Sequence, residues 1–437
     1  MEPCSFYGPS VKALKNAFNY AMSHTQEILK MIGEFSMTRT SFYFDHNATT
    51  PVAEIVKKTL PEFLELWGNP SSIHWAGRGP KSILRQARQN LAQSLSITPL
   101  EIIFTSGGSE SNNTVIQSVF TKIQIEKNIS RAEFITSTVE HPSVMKTMKM
   151  IADRGVKVHY VPVSRDGVLD MEFYKKVLNE KTALVSIMFA NNETGTLFPI
   201  AELAELAHTH GALFHSDCVQ AFGKVPLNLS ELGVDFTSLS GHKFYALKGS
   251  GLLYVKRGCE ITSLIYGGGQ ERQRRGGTEN TLGIYSMGLM AKCHGSVPKL
   301  SENIKVLRDH MEQRILNEIS DVRITANVSP RLPNTSSLVL DSVDGETLLM
   351  SLDMKGFAVS TGAACSSGNP EPSPVLLAMG LSRKEAQTSL RLSLGWGNTL
   401  EQVDLLVDTL KQVVERLRSF AGEDVTRNTA VHGELHV

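Results

Sequence analysis

The sequence predicts an α/β protein with a mainly parallel β-sheet in a large domain and a smaller α+β domain towards the carboxyl end. From about residue 100 to 255, short β-branched segments alternate with longer amphipathic segments, which is typical of strands joined by crossover helices. The chain of 437 residues exceeds the size at which a single core usually stops growing. After Pro298 the pattern changes to a long helix, a strand near Leu338 and a closing helix at 400–417. We therefore expect two domains.

Seven short apolar segments predict the strands of the large domain. They lie at 101–105, 134–138, 156–163, 183–190, 212–217, 236–240 and 251–255. Helix candidates between them lie at 143–153, 171–179 and 200–210. Ligands of such sheets bind at the carboxyl ends of the strands. Polar residues that follow these strands are therefore the candidates for a functional site.

The expected domain boundaries divide the chain into four parts. These are an N-terminal extension that need not be native, the large domain, the small domain and a polar tail, at 1–40, 41–297, 298–422 and 423–437.

Composition excludes several classes of function. The 44 basic and 44 acidic side chains cancel, so neither a nucleic-acid partner nor an anionic membrane is expected. The five cysteines are scattered without a C-x-x-C pair, which predicts neither a disulfide framework nor a metal site and favours a reducing, cytoplasmic location. No apolar segment approaches the ~20 residues that a membrane span needs.

Lys243 and Asp217 are the first candidates for catalysis. Lys243 follows the strand at 236–240, and a lysine held there can form a Schiff base with a carbonyl compound. Asp217 ends the strand at 212–217, where a carboxylate can keep a pyridine nitrogen protonated. The alternatives are an exposed loop lysine and a surface or capping aspartate.

The segment 104–113 combines a strand, a glycine turn and the start of a helix. Gly108 and Ser109 bring free backbone amides and a hydroxyl to one point, an arrangement that suits a phosphate dianion. A glycine turn with a serine cap explains the same pattern equally well.

Two further segments follow predicted strands. His141 comes after the strand ending at Thr138 and can lie flat on an aromatic cofactor, although a lone histidine is more often structural. The segment 191–195 contains Asn192, whose amide can reach a phenolic oxygen. Turn formation explains asparagine and glycine there as well.

Two candidates lie in the small domain. Cys365 sits among small polar residues at 360–369, a setting that leaves a thiol accessible and reactive. Arg391 alternates with leucines on a predicted strand, and its guanidinium can bind a carboxylate through two hydrogen bonds. An exposed strand arginine is the alternative.

Together these segments resemble the NifS/IscS-type cysteine desulfurases of the class V aminotransferase family, from about Phe42 to about Leu417. Motifs of that family recur in order at 43–50, 68–72, 109–112, 140–141, 191–195, 240–243, 275–278 and Cys365. The resemblance implies the fold of pyridoxal phosphate-dependent transferases, the aspartate aminotransferase-like fold type I. It also implies pyridoxal 5'-phosphate as cofactor.

The resemblance assigns roles around the cofactor ring. It implies that Lys243 holds the cofactor, that Asp217 pairs with the ring nitrogen and that His141 stacks on the ring. Gln220 and Asn192 would hold the phenolic oxygen or the substrate.

The resemblance also assigns the phosphate site and an oligomeric state. It implies that Gly108, Ser109, Ser240 and His242 surround the phosphate. Thr278 of a neighbouring subunit would join them, which implies a homodimer.

The activity implied by the resemblance is sulfur transfer from L-cysteine. Arg391 would hold the substrate carboxylate, Lys243 would move the Cα proton, and Cys365 would accept the sulfur as a persulfide while L-alanine leaves. An acceptor protein would then take the sulfur for iron-sulfur clusters or another thio-cofactor. Two alternatives share the fold: selenocysteine lyase, and a catalytically weak assembly partner.

Four positions depart from the family pattern. Ala246 and Leu247 stand where the family usually has Gly-Pro, Trp396 replaces a customary arginine, and Cys218 replaces a small alanine. The groups that catalysis needs are all present.

Overall fold

The computed structural model describes residues 41–126, 131–361 and 371–432. The described residues from Tyr43 onward form one compact unit. The predicted extension at 1–40 and Cys365 lie outside the described residues. The division of the chain near residue 297 stays a prediction.

In the described part of the chain, most strands of the larger sheet are followed by an α-helix. The strands are β1 Phe42–Tyr43, β2 Ile102–Thr105, β3 Glu133–Ser137, β4 Lys157–Val161, β5 Thr182–Ser186, β6 Leu213–Asp217, β7 Phe236–Ser240, β8 Gly251–Val255, β9 Val322–Ile324, β10 Thr335–Leu340, β11 Phe357–Ala358 and β12 Ser389–Ser393. The helices are α1 Glu54–Leu64, α2 Trp75–Ser94, α3 Gly108–Glu126, α4 Pro142–Ala152, α5 Met171–Val177, α6 Ile200–Thr209, α7 Leu229–Leu232, α8 Thr281–Lys292, α9 Val297–Glu318, α10 Gly345–Met354, α11 Pro374–Ala378, α12 Arg383–Gln387 and α13 Leu400–His432.

Seven strands form the large sheet in the order β2-β8-β7-β6-β5-β3-β4. From β7 to β4 every neighbouring pair is parallel, whereas β8 runs antiparallel to both β7 and β2. All seven predicted strands are present, and β7 and β8 have the predicted bounds. The predicted mainly parallel sheet is therefore confirmed.

The sheet is covered on both faces because successive side chains of a strand point in opposite directions. In β2, Ile102 and Phe104 belong to one buried cluster and Ile103 to another. On the first face, α2 and α8 approach closely, since a Cβ added to Gly288 of α8 would lie 2.5 Å from the Ala87 Cα. The side chains of β2 are therefore buried on both faces of the sheet.

The three-stranded sheet of the carboxyl-terminal part has the order β12-β10-β9, and both pairings are antiparallel. Helices α9, α10 and α13 accompany it in sequence, as expected for an α+β arrangement. Helix α13 runs from Leu400 to His432 and so continues past residue 417, where the sequence predicted its end. None of the helices in the described ranges is long and apolar enough to cross a membrane.

Candidate active site

A cavity of about 350 Å³ opens at the carboxyl ends of the parallel strands. Ten of the twelve predicted site residues line it: Gly108, Ser109, His141, Asn192, Asp217, Gln220, Ser240, His242, Lys243 and Arg391. They come from segments more than 280 positions apart in the chain, since 391 minus 108 is 283. The sheet topology therefore gathers them into one site.

Lys243 ends a 3₁₀ turn, Gly241–Lys243, that directly follows β7. Its Nζ donates hydrogen bonds of 2.7 Å to the carbonyl oxygens of Asn47 and Ala48. Burial, and then the nearby positive charge of Arg391, lower the pKa of Lys243 from 10.5 to about 8. The amine is thus held at a fixed point and is partly neutral near neutral pH.

Asp217 is the last residue of β6 and is only 6% exposed. Its Oδ1 accepts a hydrogen bond from the Val219 amide at 3.0 Å, and its Oδ2 accepts one from Asn112 Nδ2 at 2.7 Å. These two bonds fix the plane of the carboxylate at the cavity wall. Asp217 is therefore not an exposed aspartate on the protein surface.

His141 precedes α4 and caps that helix. Its Nδ1 accepts a hydrogen bond from the Ser143 amide at 3.2 Å and lies 2.8 Å from Ser143 Oγ. Desolvation by the surrounding protein lowers the pKa of His141, and the positive charge of Lys243 acts in the same direction, whereas Asp217 opposes it. A neutral, fixed imidazole at the cavity wall can stack on a flat ligand.

Helix α3 begins at Gly108, so its first backbone amides have no acceptor inside the helix, and Gly108 and Ser109 line the cavity. A Cβ added to Gly108 would lie 2.6 Å from Val219 Cγ2, so a larger residue would not fit there. Ser109, Ser240 and His242 line the same wall. Burial, and then the charge of Lys243, lower the pKa of His242 to about 4, so this imidazole is neutral at pH 7.

Arg391 lies on β12 and is buried, with 7% of its surface exposed. Its Nη2 pairs with Asp45 Oδ1 at 2.7 Å, and its Nη1 donates to the Asn192 carbonyl oxygen at 3.2 Å. Its Nε is buried without a hydrogen-bond partner. An unpaired buried donor costs free energy unless a ligand satisfies it, which fits a binding site better than an exposed strand arginine.

Two of the predicted residues are not in this cavity. Thr278 lines a separate cleft of about 130 Å³ together with Ser106 and Arg275. Cys365 lies outside the described residues, so its prediction is not tested. A role for Thr278 in a neighbouring subunit likewise stays a prediction.

Sequence reasoning assigned no role to three polar residues that line the cavity, Asn47, Asn112 and Ser143. Asn112 lies one turn after Ser109 on α3. Residues spaced i, i+3 share a helix face, so this spacing could have indicated that Asn112 faces the cavity as Ser109 does. The Asn47 carbonyl oxygen accepts a hydrogen bond from Lys243 Nζ, and Asn47 Nδ2 donates one to the Asn192 carbonyl oxygen at 3.1 Å. Its position 196 residues before Lys243 gave no local signal.

The sequence matches a known protein family. The family model of aminotransferase class-V matches residues 42–406, most of the chain. The chain belongs to the class-V aminotransferase family. Class-V aminotransferases use pyridoxal phosphate, and the cavity contains groups that suit this cofactor: an amine, a carboxylate, a neutral imidazole, and hydroxyls beside a helix amino end.

Curated members of the class-V family are similar to this chain over most of their length. A protein of Gluconacetobacter diazotrophicus called cysteine desulfurase is 42% identical over 383 residues, which cover 87% of this chain and 94% of the relative. A protein of Azotobacter vinelandii called cysteine desulfurase NifS is 42% identical over 380 residues, covering 86% and 93%.

A solved structure supports the same fold. The NifS-like protein from Rickettsia africae superposes with a TM-score of 0.77 at 32% identity, covering 86% of this chain and 99% of that one. The predicted fold type I, with its mainly parallel sheet, is confirmed.

Proposed function

We propose that this protein is a pyridoxal phosphate-dependent cysteine desulfurase, which converts L-cysteine to L-alanine and takes the sulfur on Cys365 as a persulfide. The observation that carries the proposal is the convergence of an amine, a carboxylate and a guanidinium on one cavity, from Lys243, Asp217 and Arg391. The names and the 42% identity of the relatives support the same reaction.

The cofactor would be held through its aldehyde, ring and phosphate. Lys243 would bind the aldehyde carbon, Asp217 would pair with the ring nitrogen, and His141 would lie on the ring face. Asp217 suits this role because two hydrogen bonds fix its carboxylate at the cavity wall. A carboxylate in that place keeps a pyridine nitrogen protonated.

The phosphate would lie at the amino end of α3. The backbone amide of Gly108 and the hydroxyls of Ser109 and Ser240, which line the cavity, would donate hydrogen bonds to its oxygens. His242 is neutral at pH 7, because burial lowers its pKa to about 4. It would therefore contribute a hydrogen bond rather than a charge.

When bound, the cofactor withdraws electrons from the substrate Cα, so that the Cα proton becomes acidic. Lys243 Nζ takes that proton and later returns one to the product. Its pKa of about 8 leaves a usable neutral fraction near pH 7 and matches the range in which a general base works best. The carbonyls of Asn47 and Ala48 hold the amine in place.

Arg391 would bind the substrate carboxylate. Asp45 fixes one side of the guanidinium at 2.7 Å, and the unpartnered Nε remains as a donor. A fixed guanidinium orients the substrate as well as binding it. Asn192 lines the cavity beside this site and would contact the substrate or the phenolic oxygen.

The sulfur step uses the Cys365 thiolate as nucleophile. The thiolate attacks the substrate sulfur, an S–S bond forms, the substrate C–S bond breaks, and its electron pair stays with the three-carbon product. The net reaction converts L-cysteine and one protein thiol to L-alanine and one persulfide, so atoms and electrons balance. An acceptor protein for iron-sulfur clusters or another thio-cofactor would then take the outer sulfur.

A homodimer would complete the phosphate site with Thr278 of the second copy. Large apolar side chains near the 68–72 motif are exposed in the single chain: Trp67, Ile73 and Trp75 are 74%, 90% and 75% exposed. A second copy of the chain would cover them in a homodimer. Exposed apolar groups of this size favour an interface. A cytoplasmic location is proposed because the reactive thiol requires a reducing compartment.

The experiment is L-cysteine turnover with alanine and persulfide measured together. The wild type should release alanine and accumulate a persulfide, whereas Cys365→Ala should keep its cofactor colour but lose both products. Cys293→Ala is the matched control, since this cysteine lies outside the cavity, and it should keep both.

Three results would contradict the proposal. A coloured wild type that makes no alanine would favour the assembly partner. Turnover of selenocysteine but not of cysteine would favour the lyase. Persulfide formation in Cys365→Ala would assign the sulfur to another thiol.

A further inference from the structure

We infer that Lys224, a buried lysine behind the cavity, is a positioning residue that sets the orientation of Gln220 and the place of the Asn47 carbonyl. The inference rests on the proposed function, because it concerns the same cavity. Lys224 does not line that cavity. It acts through two amide side chains that lie between it and the reacting groups.

The amine of Lys224 is buried among neutral acceptors. The residue is 8% exposed, and its Nζ donates to Asn47 Oδ1 at 2.7 Å and to Gln220 Oε1. Among the residues that the structure describes, Lys224 forms no ion pair with a carboxylate. Because a buried lysine without a carboxylate is costly, an ordinary packing role would be better served by an apolar side chain.

The local chain is shaped to bring Lys224 to this place. Lys224 lies four residues after Gln220, and Gly223 between them has φ +80. A Cβ at Gly223 would lie 2.8 Å from the Phe244 Cβ, directly after Lys243. The turn therefore packs against the catalytic segment and carries both Gln220 and Lys224.

Donor chemistry decides which way the two amides face. A lysine ammonium only donates hydrogen bonds, so both amide oxygens must turn towards Lys224. Gln220 then presents its Nε2 group, which gives one hydrogen to the Asn47 carbonyl oxygen at 2.9 Å and keeps the second for the cavity. Without Lys224, only the bond to the Asn47 carbonyl oxygen would hold the amide, and an orientation that presents the oxygen to the cavity would become more accessible.

The Asn47 carbonyl oxygen links Gln220 to Lys243. The Asn47 carbonyl oxygen accepts from both Gln220 Nε2 and Lys243 Nζ, at 2.9 and 2.7 Å. Asn47 Nδ2 donates hydrogen bonds to the Asn192 carbonyl oxygen and to Thr335 Oγ1, at 3.1 and 2.8 Å. Lys224 therefore belongs to a hydrogen-bond network that orients both amides, and Asn334 Nδ2, which donates to Asn47 Oδ1 at 3.1 Å, is part of the same network.

Both charge states of Lys224 are compatible with this orientation. Burial, followed by the positive charges of Lys243 and Arg391, lowers the pKa of Lys224 well below 10.5. A neutral amine still has two N–H groups, and the two amide oxygens are its two acceptors. In either state its N–H groups can be donated to Asn47 and Gln220.

The test is a pH titration of the visible absorbance of the cofactor-loaded protein, in wild type and Lys224→Met. An N–H directed at the phenolic oxygen of the cofactor stabilises the ionised oxygen. Loss of that donor should raise the pH midpoint by about one unit or more, and kcat/KM should fall roughly 10- to 100-fold. The exposed Lys299→Met is the matched control and should change neither.

Gln220→Leu separates orientation from packing. If Lys224 acts through Gln220, this variant should raise the midpoint as Lys224→Met does, and the double variant should raise it no further. Lys224→Arg keeps N–H donors and should restore the midpoint. Lys224→Gln, which cannot reach both amide oxygens, takes the place of Lys224→Met if the latter does not fold.

An unchanged midpoint in Lys224→Met, or additive shifts in the double variant, would overturn the inference while leaving the desulfurase proposal intact. A wild type without visible absorbance or alanine release would instead overturn the proposed function. The two failures are therefore distinguishable.

Discussion

The amine of Lys243 should titrate near pH 8 in the cofactor-free protein. Its pKa is lowered from 10.5 to about 8 by burial and then by Arg391. At pH 7 about one amine in ten is then neutral, against about one in 3,000 for a group that titrates at 10.5. The neutral fraction, which alone can react with an aldehyde or remove a proton, is larger by roughly 300-fold.

The two charged neighbours should shift this pKa in opposite directions. Arg391→Met removes a positive charge that disfavours the ammonium, so the pKa of Lys243 should rise. Asp45→Asn removes a negative charge that favours the ammonium, so the pKa should fall. Opposite shifts from two residues that are paired at 2.7 Å would be difficult to produce by unfolding alone.

The assay is competitive labelling of the cofactor-free protein with an amine-reactive reagent between pH 6 and 11. The labelled fraction of the Lys243 peptide is measured by mass spectrometry, with N-acetyl-lysine in the same tube as reference. A Lys243 midpoint near that of the reference, or shifts of the same sign in both variants, would refute the electrostatic reasoning.

Two further predictions concern stability. Burial raises the pKa of Glu140 from 4.5 to about 8, so the folded state holds a proton that the unfolded state releases, and stability from this group is lost as pH rises from about 4.5 to 8. Glu140→Gln should lessen that loss by up to about 5 kcal/mol; identical pH dependence of urea unfolding in variant and wild type would contradict this. Gly395→Ala should lower the free energy of unfolding by about 1–3 kcal/mol, because its Cβ would lie 2.1 Å from the His46 ring. Gly397→Ala, with nothing within 4 Å, is the control and should show a much smaller loss.

Strand ends explain why much of the site was predictable. Asp217 ends β6 and Lys243 follows β7, and parallel topology brings such strand ends to one edge of the sheet. The same local signal located His141, whereas Arg391, in the middle of β12, was located by its alternation with leucines. Lys224 and Asn47 gave no such signal, because their importance comes from hydrogen bonds to residues distant in sequence.

The departures from the family pattern have structural compensations that the sequence alone did not indicate. Leu247 donates its amide to Ser286 Oγ at 3.0 Å, a bond that the family's proline could not make. Trp396 stacks on Tyr245 with ring centroids 4.0 Å apart, and its amide donates to the Tyr245 hydroxyl at 2.8 Å. Tyr245 has φ 66, so these contacts hold a left-handed residue two positions after Lys243.

The most direct measurement of the central claim is reduction of the cofactor-loaded protein with borohydride, followed by peptide mapping. We expect the pyridoxyl group on Lys243, the amine that faces the cavity. Attachment to Lys224 or to a surface lysine, or the absence of any attached group, would contradict the assignment of this cavity as the cofactor site.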